Sequence, residues 1–478
     1  MEIPKKGKTK REILDCLKHY KKNDVNWQSG RAFSYIFDPG GQVLEFAKKV
    51  YSFFLTENAL DFTAYPSLLK LENNLVSMIR RHLNGDEQVV GNFTSGGTES
   101  IFLAVKAARD YYRKEKPDLK EPEMILPSSA HAAFHKAAHY LGLKTITVSV
   151  DPRTFKADLK KTQKKMNDNT ILMVGSAPTY TQGVVDPISK LSELAKKNGI
   201  WFHTDACMGG FLLPYFKRLG QPVPDFDFSL PGVCSVSVDL HKYAYAPKGA
   251  SMVLYRSPEL RTFQMFSFAK WLGYTIINPT VQSTKSGGPL AAAWAVLNYV
   301  GDDGYLNFAH KKLDAVKKIK QAITQIPELY LMAEPEMTLI SFSSKKVNIF
   351  HIIDEMNLKG WYITPSLSFD QIPANIHLSV TLPNVEHTHE FIEDLKESVK
   401  TAKSLPSGKL LNAFKEIMNK QGEALLDNPE PLLELAGIKN GQMPERTASL
   451  NEVLNAMPPD WREKLLLNVA NYFFHPET

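Results

Sequence analysis

Val89-Val90-Gly91-Asn92-Phe93-Thr94-Ser95-Gly96-Gly97-Thr98-Glu99-Ser100 is the stretch whose reading decides the fold. An apolar strand end, Val89 and Val90, leads to the polar run from Asn92 to Thr98. A helical pattern follows, with Ile101, Ala104, Val105, Ala108 and Tyr112 sharing one face. A strand, a Gly-Gly turn and a helix start together form an anion site. Glycine lets backbone N–H groups come close to a ligand, and the helix dipole favours a phosphate there. The stretch lacks the Lys-Ser/Thr ending of a Walker loop and the third glycine of a dinucleotide fingerprint. Taken alone it reads equally well as a plain glycine turn.

Outward from this segment, helical stretches alternate with short apolar runs. The runs are Glu123 to Pro127, Lys144 to Val150, Ile171 to Ser176, Ile200 to Thr204, Ser235 to Val238 and Met252 to Tyr255. Such runs, rich in Val and Ile and bounded by Pro, Gly or Asp, read as buried strands. Strands alternating with helices predict an α/β fold with a mostly parallel sheet covered on both faces. After about Asp303 the rhythm changes. Helix 305–326, strand Thr338 to Ser343, helix 347–357, strand Ile376 to Val380 and helix 386–404 suggest a smaller α+β domain. Residues 409–478 read as a helical tail with Pro-marked breaks. The division is an N-terminal arm (1–62), a large domain (63–303) and a small C-terminal domain with its tail (304–478).

The composition fits that layout. The chain has 478 residues, 43% hydrophobic and 23% charged, which excludes a disordered chain, a collagen and a coiled-coil rod. No run approaches the length of a membrane span, and the Lys-rich start lacks the apolar core of a secretory signal. Net charge is +6, and residues 1–24 hold eight Lys/Arg against four Asp/Glu. That segment reads as a solvated basic tail or as a surface for anionic partners. Cys16, Cys207 and Cys234 give neither a disulfide framework nor a zinc pattern, so reduced thiols in the cytoplasm are expected and no metal site.

Two further segments carry chemistry. In Trp201-Phe202-His203-Thr204-Asp205-Ala206-Cys207, alternation puts His203, Asp205 and Cys207 on one face. Asp205 ends an apolar strand, the ligand-facing edge of an open α/β sheet. In Ser235-Val236-Ser237-Val238-Asp239-Leu240-His241-Lys242-Tyr243, a lysine directly follows a buried strand. There it can be desolvated, lose its proton and act as an amine nucleophile. Each feature alone has an ordinary structural reading. Together a phosphate cradle, a strand-end carboxylate and a strand-end lysine describe a pyridoxal 5'-phosphate site. The lysine would hold the cofactor's aldehyde, and the carboxylate would keep the pyridine nitrogen protonated. His131, in Ser128-Ser129-Ala130-His131-Ala132-Ala133-Phe134, follows another strand and could stack on the ring. No nucleic-acid partner is needed to explain these residues.

Thr94-Ser95-Gly96-Gly97-Thr98-Glu99-Ser100, His131-Ala132-Ala133-Phe134, Asp205-Ala206-Cys207 and His241-Lys242-Tyr243 resemble the group II pyridoxal-phosphate decarboxylase superfamily, and within it the sphingosine-1-phosphate lyases. The resemblance runs over about residues 30–400 and includes Ser176-Ala177-Pro178, Lys248-Gly249 and Ile376-His377. It implies a type I aminotransferase-like fold and a homodimer with shared sites. By position, Lys242 resembles the Schiff-base lysine, Asp205 the pyridinium partner and His131 the stacking histidine. Ser95, Gly96, Gly97, Thr98 and His241 resemble cofactor-phosphate ligands, and Thr284 one donated by the neighbouring subunit. Tyr35, Asn58, Tyr180 and Lys248 resemble residues around the substrate's polar head. Two departures stand out: Asp61 occupies the place of a histidine expected at the substrate phosphate, and Thr284-Lys285 replaces a serine-arginine pair. The expected activity is carbon–carbon cleavage of a phosphorylated, lipid-derived amine, with Tyr180 or Lys248 moving the proton. Amino-acid α-decarboxylation is the alternative.

Overall fold

The computed structural model describes residues 2–422, 426, 433 and 444–474. Seven strands form the main sheet: β1 (Val90–Thr94), β2 (Glu123–Pro127), β3 (Lys144–Val148), β4 (Thr170–Ser176), β5 (Trp201–Asp205), β6 (Ser235–Asp239) and β7 (Ser251–Tyr255). Their order is β1-β7-β6-β5-β4-β2-β3. The run β6-β5-β4-β2-β3 is parallel, and β7 is antiparallel to both its neighbours. β1 runs through Thr94, so the polar residues Asn92 and Thr94, expected in the turn, belong to the strand. β3 is an edge strand with Lys144 and Thr147 exposed, and it ends at Val148; it is therefore not the buried strand its apolar run suggests.

The two faces of this sheet are covered by different clusters. Leu172 and Val174 of β4 pack with Leu103, Ala104 and Phe134, while Met173 between them packs with Phe202 and Leu213. Strand alternation produces this split, and helices on both faces bury it. Helix Gly97–Glu115 starts directly after β1 and lies on the first face, with Ile101, Ala104, Val105, Ala108 and Tyr112 buried.

The second sheet is antiparallel, in the order β10 (Leu329–Leu331), β11 (Leu339–Ser344), β13 (Asn375–Ser379) and β12 (Thr364–Ser366). β8 (Phe266–Phe268) and β9 (Ile276–Asn278) make a separate hairpin. Helix Gly288–Gln325 runs across residue 303 and is bent at Gly301, whose φ of 66° breaks the helical geometry. The expected helix start near 305 is this bend, a place where glycine adopts a conformation other residues resist. Phe33, from the N-terminal segment, sits in the second core, 4.6 Å from the Phe391 ring centroid, and its backbone bonds Tyr362 and Ser379. Helices Lys409–Gln421, Ala448–Ala456 and Pro459–Phe473 follow. Of the expected tail, residues 423–425, 427–432, 434–443 and 475–478 lie outside the described residues. Among the described residues, no helix is long and apolar enough to cross a membrane.

Candidate active site

A cavity of about 380 Å³ opens at the C-terminal ends of β1, β2, β4, β5 and β6. Loops leaving parallel strands converge there, so the sheet delivers side chains from five segments to one place. Ser95, Gly96, Gly97 and Thr98 line it at the start of helix Gly97–Glu115, and His131, Tyr180, Asp205, Asp239, His241 and Lys242 complete it. The first N–H groups of a helix lack intrahelical partners and carry the positive end of its dipole, which suits this wall to an anion such as phosphate. Gly97 is required by space: a Cβ there would lie 2.8 and 2.9 Å from the Asp239 carboxylate oxygens and 3.0 Å from Cys207 Sγ.

Lys242 Nζ lies 2.8 Å from Asp239 Oδ2. Burial works against its ammonium, but the Asp239 charge and hydrogen bond, with Cys207 and Asp205 beyond, outweigh it and hold Lys242 above its ordinary range. The amine expected from burial alone to lose its proton is therefore kept as a cation, because the structure supplies a carboxylate that a strand pattern does not reveal. Asp239 is also buried; the Lys242 ammonium, with the His241 ring beside it, overcomes that and holds its carboxyl below the usual range. Its Oδ1 is buried with no hydrogen-bond partner. Removing one member of a buried pair of this kind costs about 3–5 kcal/mol.

His241 Nδ1 accepts the Ala250 N–H at 3.2 Å, so its ring proton sits on Nε2, 3.6 Å from Asp239. Burial lowers His241 despite that carboxylate. Asp205 Oδ1 accepts from the Cys207 N–H at 3.1 Å and from the Ser237 hydroxyl at 3.4 Å. His131 accepts the Ala133 N–H and meets the Tyr180 ring edge-on at 6.5 Å. Tyr180 packs at 4.5 Å on His377, and burial raises its phenol above the ordinary range, so it stays protonated. Lys312, fully buried behind the Lys242 segment, places its amine 4.9 Å from the Tyr243 ring and 5.1 Å from Tyr245, and burial pushes it down to about 7.

The other sequence-derived candidates lie outside this cavity lining. Lys248 Nζ donates to the Tyr35 carbonyl at 3.3 Å and the His241 carbonyl at 3.4 Å; burial and the neighbouring Lys242 charge push it down to about 8. The Tyr35 side chain is exposed. Asn58 Oδ1 takes the Leu60 N–H at 3.0 Å and the Lys285 N–H at 3.4 Å, beside a bridge to Ser286. Asp61 is exposed and turns back on its own chain, accepting the Thr63 hydroxyl at 2.6 Å and N–H at 2.8 Å, bonds that lower its carboxyl. Thr284 belongs to the same surface cluster as Asn58, through its neighbour Lys285.

The sequence model of the pyridoxal-dependent decarboxylase conserved domain matches residues 2–345. The chain belongs to that family. It is a pyridoxal-phosphate-dependent lyase. A second match, to a C-terminal HTH-type domain of pyridoxal-dependent enzymes, covers residues 424–471, a module the helical pattern of the tail did not disclose. Among curated relatives of this decarboxylase-family chain, the Arabidopsis thaliana sphingosine-1-phosphate lyase is 40% identical over 403 residues, 83% of this chain and 73% of that protein. A Pyrococcus horikoshii L-aspartate/L-glutamate decarboxylase is 33% identical over 401 residues, 83% of this chain and 99% of that protein. Among solved structures, the Burkholderia pseudomallei sphingosine-1-phosphate lyase superposes with a TM-score of 0.81 at 33% identity, covering 88% of this chain and 96% of that one.

The cavity fits the family's cofactor by its donor set. A phosphate seat faces a buried amine and a strand-end carboxylate, and Asp239 Oδ1, walling the same cavity, is an orphaned acceptor. Two residues that shape the site were not singled out from sequence. Asp239 was legible as a second strand-end carboxylate three residues before Lys242. Glu99 accepts the Ser95 N–H at 2.6 Å and the Val281 N–H at 2.8 Å, tying the phosphate seat to the segment before Thr284; only tertiary structure joins those two segments.

Proposed function

We propose that this lyase cleaves the Cα–Cβ bond of a phosphorylated sphingoid base, releasing a fatty aldehyde and phosphoethanolamine. The observation that carries the reading is the convergence of Lys242, Asp205 and His131 on one phosphate-seated cavity, in a chain with lyase relatives over most of its length. Pyridoxal phosphate, when bound, accepts the electron pair freed at the substrate's Cα. In this reading Ser95, Gly96, Gly97, Thr98 and His241 hold the cofactor phosphate, Lys242 its aldehyde, Asp205 its ring nitrogen and His131 its ring face. Asp239 receives the Lys242 ammonium whenever substrate displaces that amine. Lys248, held near 8, is the group able to take the β-hydroxyl proton near neutral pH. Tyr180 stays a phenol and donates a hydrogen bond.

Thr284 is assigned to a second subunit's cavity, and Tyr35, Asn58 and Asp61 to the surroundings of the substrate's polar head. Thr284 is exposed and adjoins Lys285, whose N–H bonds the half-buried Asn58; this surface position supports a homodimer with shared sites. The three free thiols support a cytoplasmic setting. The test is direct: incubate the holoenzyme with a phosphorylated sphingoid base and measure aldehyde release. A second reading, amino-acid α-decarboxylation, is favoured by the archaeal decarboxylase relative aligned over nearly its full length. Carbon dioxide from aspartate or glutamate without aldehyde from the lipid would select it.

A further inference from the structure

Behind Asp205 lies a buried row of polar side chains on β5 and β6. The register pairs His203 with Ser235 and Asp205 with Ser237. Trp201 Nε1 lies 2.9 Å from Ser235 Oγ, His203 Nδ1 2.8 Å from the same oxygen, His203 Nε2 3.1 Å from Ser237 Oγ, and Ser237 Oγ 3.4 Å from Asp205 Oδ1. Trp201, His203, Ser235 and Ser237 are all buried, with His203 at 0% exposure.

The direction of this row is fixed at both ends. An indole N–H only donates. Ser235 therefore receives from Trp201, which leaves its single hydrogen for His203 Nδ1. A ring nitrogen that accepts carries no proton, so the neutral imidazole carries it on Nε2 and donates to Ser237. Ser237 then spends its hydrogen on Asp205 Oδ1, the terminal acceptor. Cys207 Sγ, 3.3 Å from Ser237 Oγ, adds a second donor to that hydroxyl. The opposite tautomer would send two N–H groups to Ser235 and turn the Ser237 hydrogen away from Asp205. Burial pushes His203 down to about 4, so the ring is neutral in the working range and the row stays unbroken.

We infer that Trp201, Ser235, His203 and Ser237 are positioning residues forming a one-way hydrogen-bond chain that saturates Asp205 Oδ1 and reserves Oδ2 for the cofactor's ring nitrogen. A chain of aligned donors strengthens each link and holds the carboxylate that ends it in place. The strand-end carboxylate is thus oriented from farther back along its own face of the sheet. The other titratable groups around it are Cys207, Asp239 and Lys242, with His131 and Tyr180 across the cavity.

The inference rests on the assignment of Asp205 to the ring nitrogen, so two readouts are needed. The first uses no cofactor. Nitrogen-15 histidine labelling reads the His203 tautomer, with His203→Gln identifying its signal. The Nε2–H form is expected in the parent, and Trp201→Phe should admit the Nδ1–H form. An Nδ1–H tautomer in the parent overturns the inference. The second loads the protein with pyridine-15N cofactor and follows ring-nitrogen protonation against pH. Ser237→Ala, which removes one oxygen and leaves the sheet intact, should lower the pH at which that nitrogen loses its proton by about one unit, a tenfold change, and Ser237→Thr should restore it. An unchanged titration in Ser237→Ala overturns the inference. A nitrogen unprotonated in the parent, with the Nε2–H tautomer intact, instead overturns the assignment of Asp205.

Discussion

Two groups of candidate residues are built on opposite principles. The strand-end group, the buried Asp239 and Asp205 with the half-buried Lys242 and Gly96-Gly97 turn, converges on one cavity. The surface group, Asn58, Asp61 and Thr284 to Ser286, has its polar atoms occupied locally: Asp61 by Thr63, Asn58 by Leu60 and Lys285. The difference teaches where a single chain is complete. Parallel strands leave their carboxyl ends together, so a core site assembles within one chain. Asn58, Asp61 and Thr284 lie outside the lining of that cavity, and the variants below test what part they take in the reaction.

The comparison breaks most severely at Lys242. Lys242→Ala is expected to remove turnover altogether while cofactor phosphate contacts persist; substantial aldehyde release by a steady-state assay would contradict it. Next is the mixed-dimer experiment. Lys242→Ala and Thr284→Trp, each inactive alone, should regain part of the parent activity when unfolded, mixed and refolded together, because some dimers then hold one intact site. No recovery in confirmed heterodimers would return the surface group to a structural role. Gly97→Ala should weaken cofactor binding roughly tenfold, since overpacking costs about 1–3 kcal/mol and the methyl meets the Asp239 oxygens; equilibrium dialysis measures it.

The pH profile sharpens the same contrast from the catalytic side. Lys248 titrates near 8 and is protonated below that, so kcat/KM should fall about tenfold per pH unit on the acid side if its neutral amine is the base. In Lys248→Arg this limb should disappear together with most of the activity. The smallest effect is expected at Asp61. Asp61→His should lower KM for a phosphorylated sphingoid base a few-fold and leave thermal stability close to the parent's, because Asp61 is exposed and bonds only its neighbours. A KM unchanged in the dimer would remove Asp61 from the substrate's path.

Several elements are legible in the sequence alone. Glu123–Pro127 is recovered residue for residue, and β4 to β7 to within one residue at either end, since buried strands of this sheet are short apolar runs with clear breakers. β8, β9, β10 and β12 were not, because three-residue strands with exposed or half-exposed side chains carry no periodic signal. The bend at Gly301 was visible only as a change of rhythm, which a helix start mimics. The Gly-Gly turn, Asp205 and Lys242 were legible as a set, since each sits at a strand end where its residue type is costly unless used.

By itself, then, the sequence determined the α/β class, the strand ends that face the ligand and the residue types waiting there. These follow from local pattern and from the cost of burying charge. Tertiary structure alone decided that Asp239 holds Lys242 as a cation, that Glu99 ties the phosphate seat to residue 281, and that Trp201 sets the direction of the hydrogen bonds reaching Asp205. Each of these depends on which strands become neighbours and in what register. That outcome is settled by packing the whole sheet, and no window of the chain contains it.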